Sequence, residues 1–179
     1  MSLEKELFVP MKLFWERLSK LNTGDRAALK RAAGMMLGEA DGKAMTVFYR
    51  CLPAETPRWQ EDRWFAVACL RCLWEPDADE GERLEKIIAQ MIQDEKLSSS
   101  TQHRIEVLLD TVWDEDGYLL TKLARLVKLI RQKSNQTPVN CTKLLKDLIY
   151  WNAENQSVQR KWAQAIFSTP SKSDEEKEK

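Results

Sequence analysis

Residues able to do covalent or metal chemistry are few in this chain and poorly assembled along it. His103 is the sole histidine, so a zinc site cannot draw on two imidazoles. Its near neighbours Arg104 and Glu106 supply no nucleophile for a catalytic dyad or triad. Cys69 and Cys72 make one Cys-x-x-Cys pair inside an apolar stretch, with no second pair at ligand spacing. They read as core cysteines, and all four thiols, Cys51 and Cys141 included, read as reduced in a chain that opens without a secretory signal. Gly34, Gly38 and Gly42 recur every four residues, which fits neither a dinucleotide fingerprint nor the Gly-Lys-Ser/Thr end of a phosphate loop. The carboxylates from Glu75 to Glu85 lack the alternation and closing glutamate of a calcium loop. Trp59, Trp64, Trp74, Trp113, Trp151 and Trp162 could stack bases, but their helical spacing places them in the core. No cofactor, no metal and no enzymatic activity are expected.

What remains is charge. Lys+Arg and Asp+Glu number 28 each, yet the signs are unevenly placed. From Gly117 to Phe167 nine basic residues face two acidic ones, Asp147 and Glu154, so that stretch carries an excess of seven positive charges. The remainder is acidic. Such asymmetry is the electrostatic footprint of a nucleic-acid binder, although a solvated helical face produces it too. Lys122, Arg125, Lys128 and Arg131, at about 100° per residue, wrap the polar side of one helix without forming a narrow stripe. That distribution suits phosphate contact along a shallow surface. Arg26, Lys30 and Arg31 form a second, smaller basic cluster in the otherwise acidic first half.

The elements that must position these cations are helical. The chain has 179 residues, 20.8 kDa, 43% hydrophobic and 31% charged residues, with only 6 Gly and 6 Pro. Between Asp77 and Thr137 only Gly81 and Gly117 punctuate it, too little for the turn every ~8–12 residues of a β sandwich or barrel. Met11, Trp15, Leu18 and Leu21 predict a first helix, and Thr23 or Asp25 a cap for a second over Asp25–Ala33. Gly34–Gly42 reads as loop. A short helix begins at Val47 and is stopped by Pro53. Apolar positions repeat from Trp59 to Leu73 until Pro76, and Leu84, Ile87, Ile88, Met91 and Ile92 predict the clearest amphipathic helix of the first half. Ser100 or Thr101 is placed to cap a helix reaching Trp113. Helices based on Leu119–Ile130, Leu144–Ile149 and Val158–Phe167 follow. The fold class is therefore all-α, in two small helical lobes: residues 1–97, and residues 98–168 as an antiparallel four-helix bundle. Residues 169–179 are expected to form a disordered charged tail. No stretch approaches the ~18 apolar residues of a membrane span, and a cytoplasmic location with no membrane partner is expected.

The ordered fragments Asp25–Ala32, Phe48-Tyr49-Arg50, Ser100–Leu109 with Arg104, Leu123-Ala124-Arg125-Leu126, Leu144–Leu148 with Trp151, and Arg160-Lys161-Trp162 with Phe167 resemble the CasB family. Its members are small subunits of the type I-E CRISPR Cascade complex. The resemblance spans about Phe14 to Phe167 and rests on order and spacing more than on any one fragment. It implies an all-helical, non-catalytic protein that helps to hold opened target DNA. The implied partners are the backbone and large subunits of Cascade, guide RNA and target DNA, and a second copy of the chain. It assigns nucleic-acid contact to Arg26, Lys30, Arg31, Arg104 and Arg125, to which the helical geometry adds Lys122 and Lys128. The sequence departs from the family pattern at His103 and Ala124, where further basic residues are expected, and at Cys141, where a tryptophan is expected. A helical adaptor that binds an acidic protein without touching nucleic acid is the alternative.

Overall fold

The computed structural model describes the backbone of residues 3–133 and 137–168. Among them the chain forms nine α-helices: α1 (Leu3–Ser19), α2 (Thr23–Arg31), α3 (Gly42–Cys51), α4 (Glu61–Arg71), α5 (Leu84–Gln93), α6 (Ser99–Leu109), α7 (Tyr118–Lys133), α8 (Cys141–Ile149) and α9 (Ser157–Phe167). Short 3-10 turns occupy Leu37–Glu39 and Arg58–Gln60. The all-α class is as expected; the charged tail at 169–179 lies outside the described residues.

Side-chain caps set the starts of α2, α3, α6 and α8, often a few residues earlier than apolar spacing alone suggests. Asn22 Oδ1 accepts from the Asp25 amide at 2.9 Å and starts α2 at Thr23, so neither Thr23 nor Asp25 is the cap. Asp41 accepts from the Ala44 amide at 2.8 Å and starts α3 at Gly42, ahead of the apolar Val47-Phe48 pair. Ser98, rather than Ser100 or Thr101, caps α6 through the Thr101 amide. In each case the oxygen satisfies an amide that the helix cannot pair internally. Helix α1 begins at Leu3 and runs through Pro10, beyond the stretch that the spacing from Met11 predicts.

Helix α4 is the axis of the fold. Arg63 through Leu70 are all buried, as expected for a helix enclosed on every side. It packs against α2, α7 and, most extensively, α8. Phe14 of α1 meets Trp64 edge-on at 5.0 Å, and Phe48 of α3 meets Phe65 likewise at 5.2 Å, the arrangement favoured by ring quadrupoles. Buried Arg63 donates from Nε to Leu148 O at 2.9 Å and from Nη1 to Trp59 O at 2.9 Å, with its guanidinium 4.9 Å from the centre of the Trp113 ring. One side chain thus ties α4 to α8 and to the α6–α7 connection, and burial lowers its pKa.

The packing crosses the boundary expected at residues 97 and 98. Helix α5 packs on α9 and α4 on α8, while the buried apolar residues from Met11 to Ile166 form one continuous cluster. Lys161 of α9 reaches Glu85 of α5 at 3.8 Å and Asp147 of α8 at 3.6 Å, and Asp147 accepts from Trp162 Nε1 at 2.8 Å. The loops before α5 and α8 meet in a single parallel bridge between Glu82 and Val139. Gly81 has φ 84°, and a Cβ there would lie 2.0 Å from Pro138 O, so only glycine fits the approach.

Five of the six tryptophans expected in the core are buried; Trp59, 59% exposed, is not. All four cysteines are buried and free. Desolvation drives the Cys69 thiol well above its usual pKa, Cys72 to about 11 and Cys141 to about 12.

Candidate nucleic-acid interface

Helices α6 and α7 pack against each other through one apolar stripe apiece. On α6 the residues Thr101, Arg104, Ile105 and Leu108 share a face. On α7 the corresponding face holds Lys122, Arg125, Leu126, Leu129 and Gln132. These spacings of three and four place neighbours on one side of a helix. Where the two faces diverge toward solvent they leave a groove of about 530 Å³, and Lys128 joins its wall.

Arg104, Lys122, Arg125 and Lys128 therefore converge, and no carboxylate lines the groove. Arg104, Arg125 and Lys128 are exposed, and Lys122 is half-buried with its ammonium 4.3 Å from the centre of the Tyr118 ring. The geometry differs from the shallow surface expected from α7 alone. The polar side of one helix, seen in isolation, has no walls; α6 supplies the second one.

The α2 cluster divides. Lys30 and Arg31 lie exposed in the last turn of α2. Lys128 reaches toward the same end of that helix, donating to Ala33 O at 3.0 Å, and Ala124 packs beneath Gly34, whose Cβ position would be 3.2 Å from it. The surface carrying Lys30 and Arg31 thus adjoins the edge of the groove. Ala124 is buried, which leaves no room for the basic residue expected at that position. Arg26 is placed differently: it is half-buried, donating from Nη2 to Trp74 O at 2.7 Å and from Nη1 to Leu18 O at 3.4 Å. Its guanidinium is held by backbone carbonyls in a cavity under α1 that also contains Lys12, Glu16 and Arg71. Arg131 is exposed and donates from Nε to a single carbonyl, Leu73 O, at 2.5 Å, as Lys128 does to Ala33 O.

The groove also includes Thr101 and Gln132, which charge counting overlooks. Helical periodicity alone would have found them, since Thr101 precedes Arg104 by three residues and Gln132 follows Leu129 by three. His103 sits exposed outside the groove, 3.2 Å from Glu106. Among the described residues no cluster of three or more His, Cys, Asp or Glu side chains is arranged to hold a metal ion. No helix among them is long and apolar enough to cross a membrane.

The family model of CRISPR-associated protein Cse2 matches residues 25–167. Among solved structures, CasB of M. ruber is similar at 25% identity and a TM-score of 0.62, over 83% of this chain and 86% of that one. A Cse2-family protein of Thermus thermophilus shares the fold at 24% identity and a TM-score of 0.71, over 89% and 99% of the two chains. A chain of a CRISPR RNA-guided surveillance complex is similar at 26% identity and a TM-score of 0.65, over 86% and 88%. No curated protein is a significant match. With α2 from Asp25 onward, α3 through α9 and every groove cation inside the matched span, the chain belongs to the CRISPR-associated Cse2 family.

Proposed function

We propose that this protein is a non-catalytic small subunit of an RNA-guided CRISPR surveillance complex, and that it holds phosphates of opened target DNA against the α6–α7 groove and the end of α2. Its partners in this reading are the backbone and large subunits of the complex, the guide RNA and target DNA, and a second copy of itself, in the cytoplasm. Family membership and likeness to a chain of a surveillance complex support the assignment to such an assembly. The observation that carries the mechanism is the convergence of Arg104, Lys122, Arg125 and Lys128 on one groove without a carboxylate. Cations fixed on rigid helices neutralise phosphates and release counterions without reading bases, while guide pairing supplies sequence choice.

The test is the paired charge reversal Arg104→Glu and Arg125→Glu. The free protein should bind DNA weakly and with little sequence preference, and the pair should weaken binding to all sequences alike. The logarithmic salt slope on single strands should flatten by about 1.4, from roughly 0.7 per lost contact. In the assembled complex the same pair should slow opening of the target duplex and leave guide loading unchanged. Loss of assembly with unchanged nucleic-acid affinity would favour the adaptor reading instead.

A further inference from the structure

The groove is amphipathic, and phosphate contact uses only its rim. Ile105 and Leu108 of α6 and Leu126 of α7 underlie its interior and are themselves buried; half-buried Leu129 of α7 is the accessible part of this aliphatic floor, between cationic walls. Covering Leu129 and the aliphatic stems of the wall residues beside it removes apolar surface from water, which a bare phosphate cannot do. The volume of about 530 Å³ falls within the ~300–1,000 Å³ of sites that enclose small organic groups. Resting on the phosphate-binding reading above, we propose that this groove seats an unpaired base of the opened DNA on its aliphatic floor, while the cations on its rim take the flanking phosphates.

Base pairing decides which nucleic acid can use the floor. A duplex keeps its bases stacked and paired inside, and offers a protein groove of this kind only sugar and phosphate. An unpaired strand can turn a base outward and bury its face. Because Ile and Leu side chains carry no donor or acceptor, the seat accepts any base, in keeping with a subunit that leaves sequence choice to the guide. Strand opening is then favoured by a contact that exists only after opening.

The test compares three DNA probes of about 12 nucleotides, within the usual range of single-strand site sizes, by fluorescence anisotropy on the full chain. One is an ordinary single strand, one the same strand with abasic residues throughout, and one the duplex. At matched salt the ordinary strand should bind about tenfold tighter than the abasic one, the effect of burying roughly 55 Å² of apolar surface. The salt slopes of these two should agree, because the phosphates are the same. Leu129→Gln, at a half-buried position, should erase the preference and keep the slope, with thermal unfolding as the check on folding. Equal affinity for ordinary and abasic strands would overturn the base seat even if Arg104→Glu with Arg125→Glu flattens the slope. If that pair changes neither affinity nor slope, the phosphate reading fails first and the base seat with it.

Discussion

Arg26 illustrates how the donors of a basic residue can be taken up by the protein's own backbone. Its guanidinium donates to Trp74 O and Leu18 O, and so fastens the chain leaving α4 to the end of α1. Hydrogen bonds from charged donors contribute about 1.5–3 kcal/mol, and Arg26→Ala leaves both carbonyls without that partner. A loss of about 1–3 kcal/mol in stability is expected by urea denaturation. Lys30→Ala and Arg31→Ala, on exposed side chains in the same helix, should leave stability within about 0.5 kcal/mol and weaken DNA binding. The reverse pattern would return Arg26 to the interface. Asp25 is a second residue whose role is electrostatic and internal. Lys43 Nζ lies 2.6 Å from Oδ1 and Arg50 Nη2 2.5 Å from Oδ2, and these two hydrogen bonds, Lys43 first, hold its carboxyl below the usual pKa of 3.8. A depressed carboxylate contributes stability that is fully present above the unfolded value and is lost as pH falls through the folded one. Denaturation midpoints of the wild type and Asp25→Asn should therefore converge below about pH 4 and differ at neutral pH.

Among the elements, the α4–α5 connection is the most constrained. Gly81 combines a positive φ with direct contact on Pro138, and the Glu82 amide donates to Pro138 O at 3.0 Å while the Asn140 amide donates to Glu82 O at 2.8 Å. Gly81→Ala must strain φ and push the α8 loop away, at a cost of roughly 1–3 kcal/mol for the backbone alone. The melting temperature should fall by several degrees, and amide exchange should quicken at Glu82 and Asn140 first. Ser98→Ala should cost about 1 kcal/mol through loss of the α6 cap. Because α6 forms one wall of the groove, this change should also lower DNA affinity slightly. A cap mutant that lost stability but kept full affinity would show that the wall is positioned by packing alone.

At the scale of the molecule, one core joins the two halves of the sequence. Helices α8 and α9 bury their apolar faces against α4 and α5, so a fragment of residues 98–168 would expose both surfaces. It should remain largely unfolded by near-ultraviolet circular dichroism, while the full chain unfolds in one transition. The four buried thiols report on the same core. Burial raises every one of their pKa values, and the thiolate is the reactive form, so disulfide reagents should modify them only upon unfolding. Rapid labelling of the native protein would contradict the burial described.

Helix identity was legible in the sequence because it depends on local spacing: the stripe Leu84, Ile87, Ile88 and Met91 needs no knowledge of its partner to be read. The basic character of α7 was legible for the same reason. Caps were half legible, since Asn22, Asp41 and Ser98 compete with equally suitable neighbours until the amides they accept from are placed. Tertiary structure alone decided which cations face outward. Arg26 and Arg104 are indistinguishable as residue types, yet carbonyls from distant segments hold the first and the second lines a groove. The groove itself has no signature along the chain, because its walls are two helices whose separation and angle follow from packing on a shared core. Charge is written in sequence, whereas the availability of charge depends on which backbone groups long-range packing brings within reach.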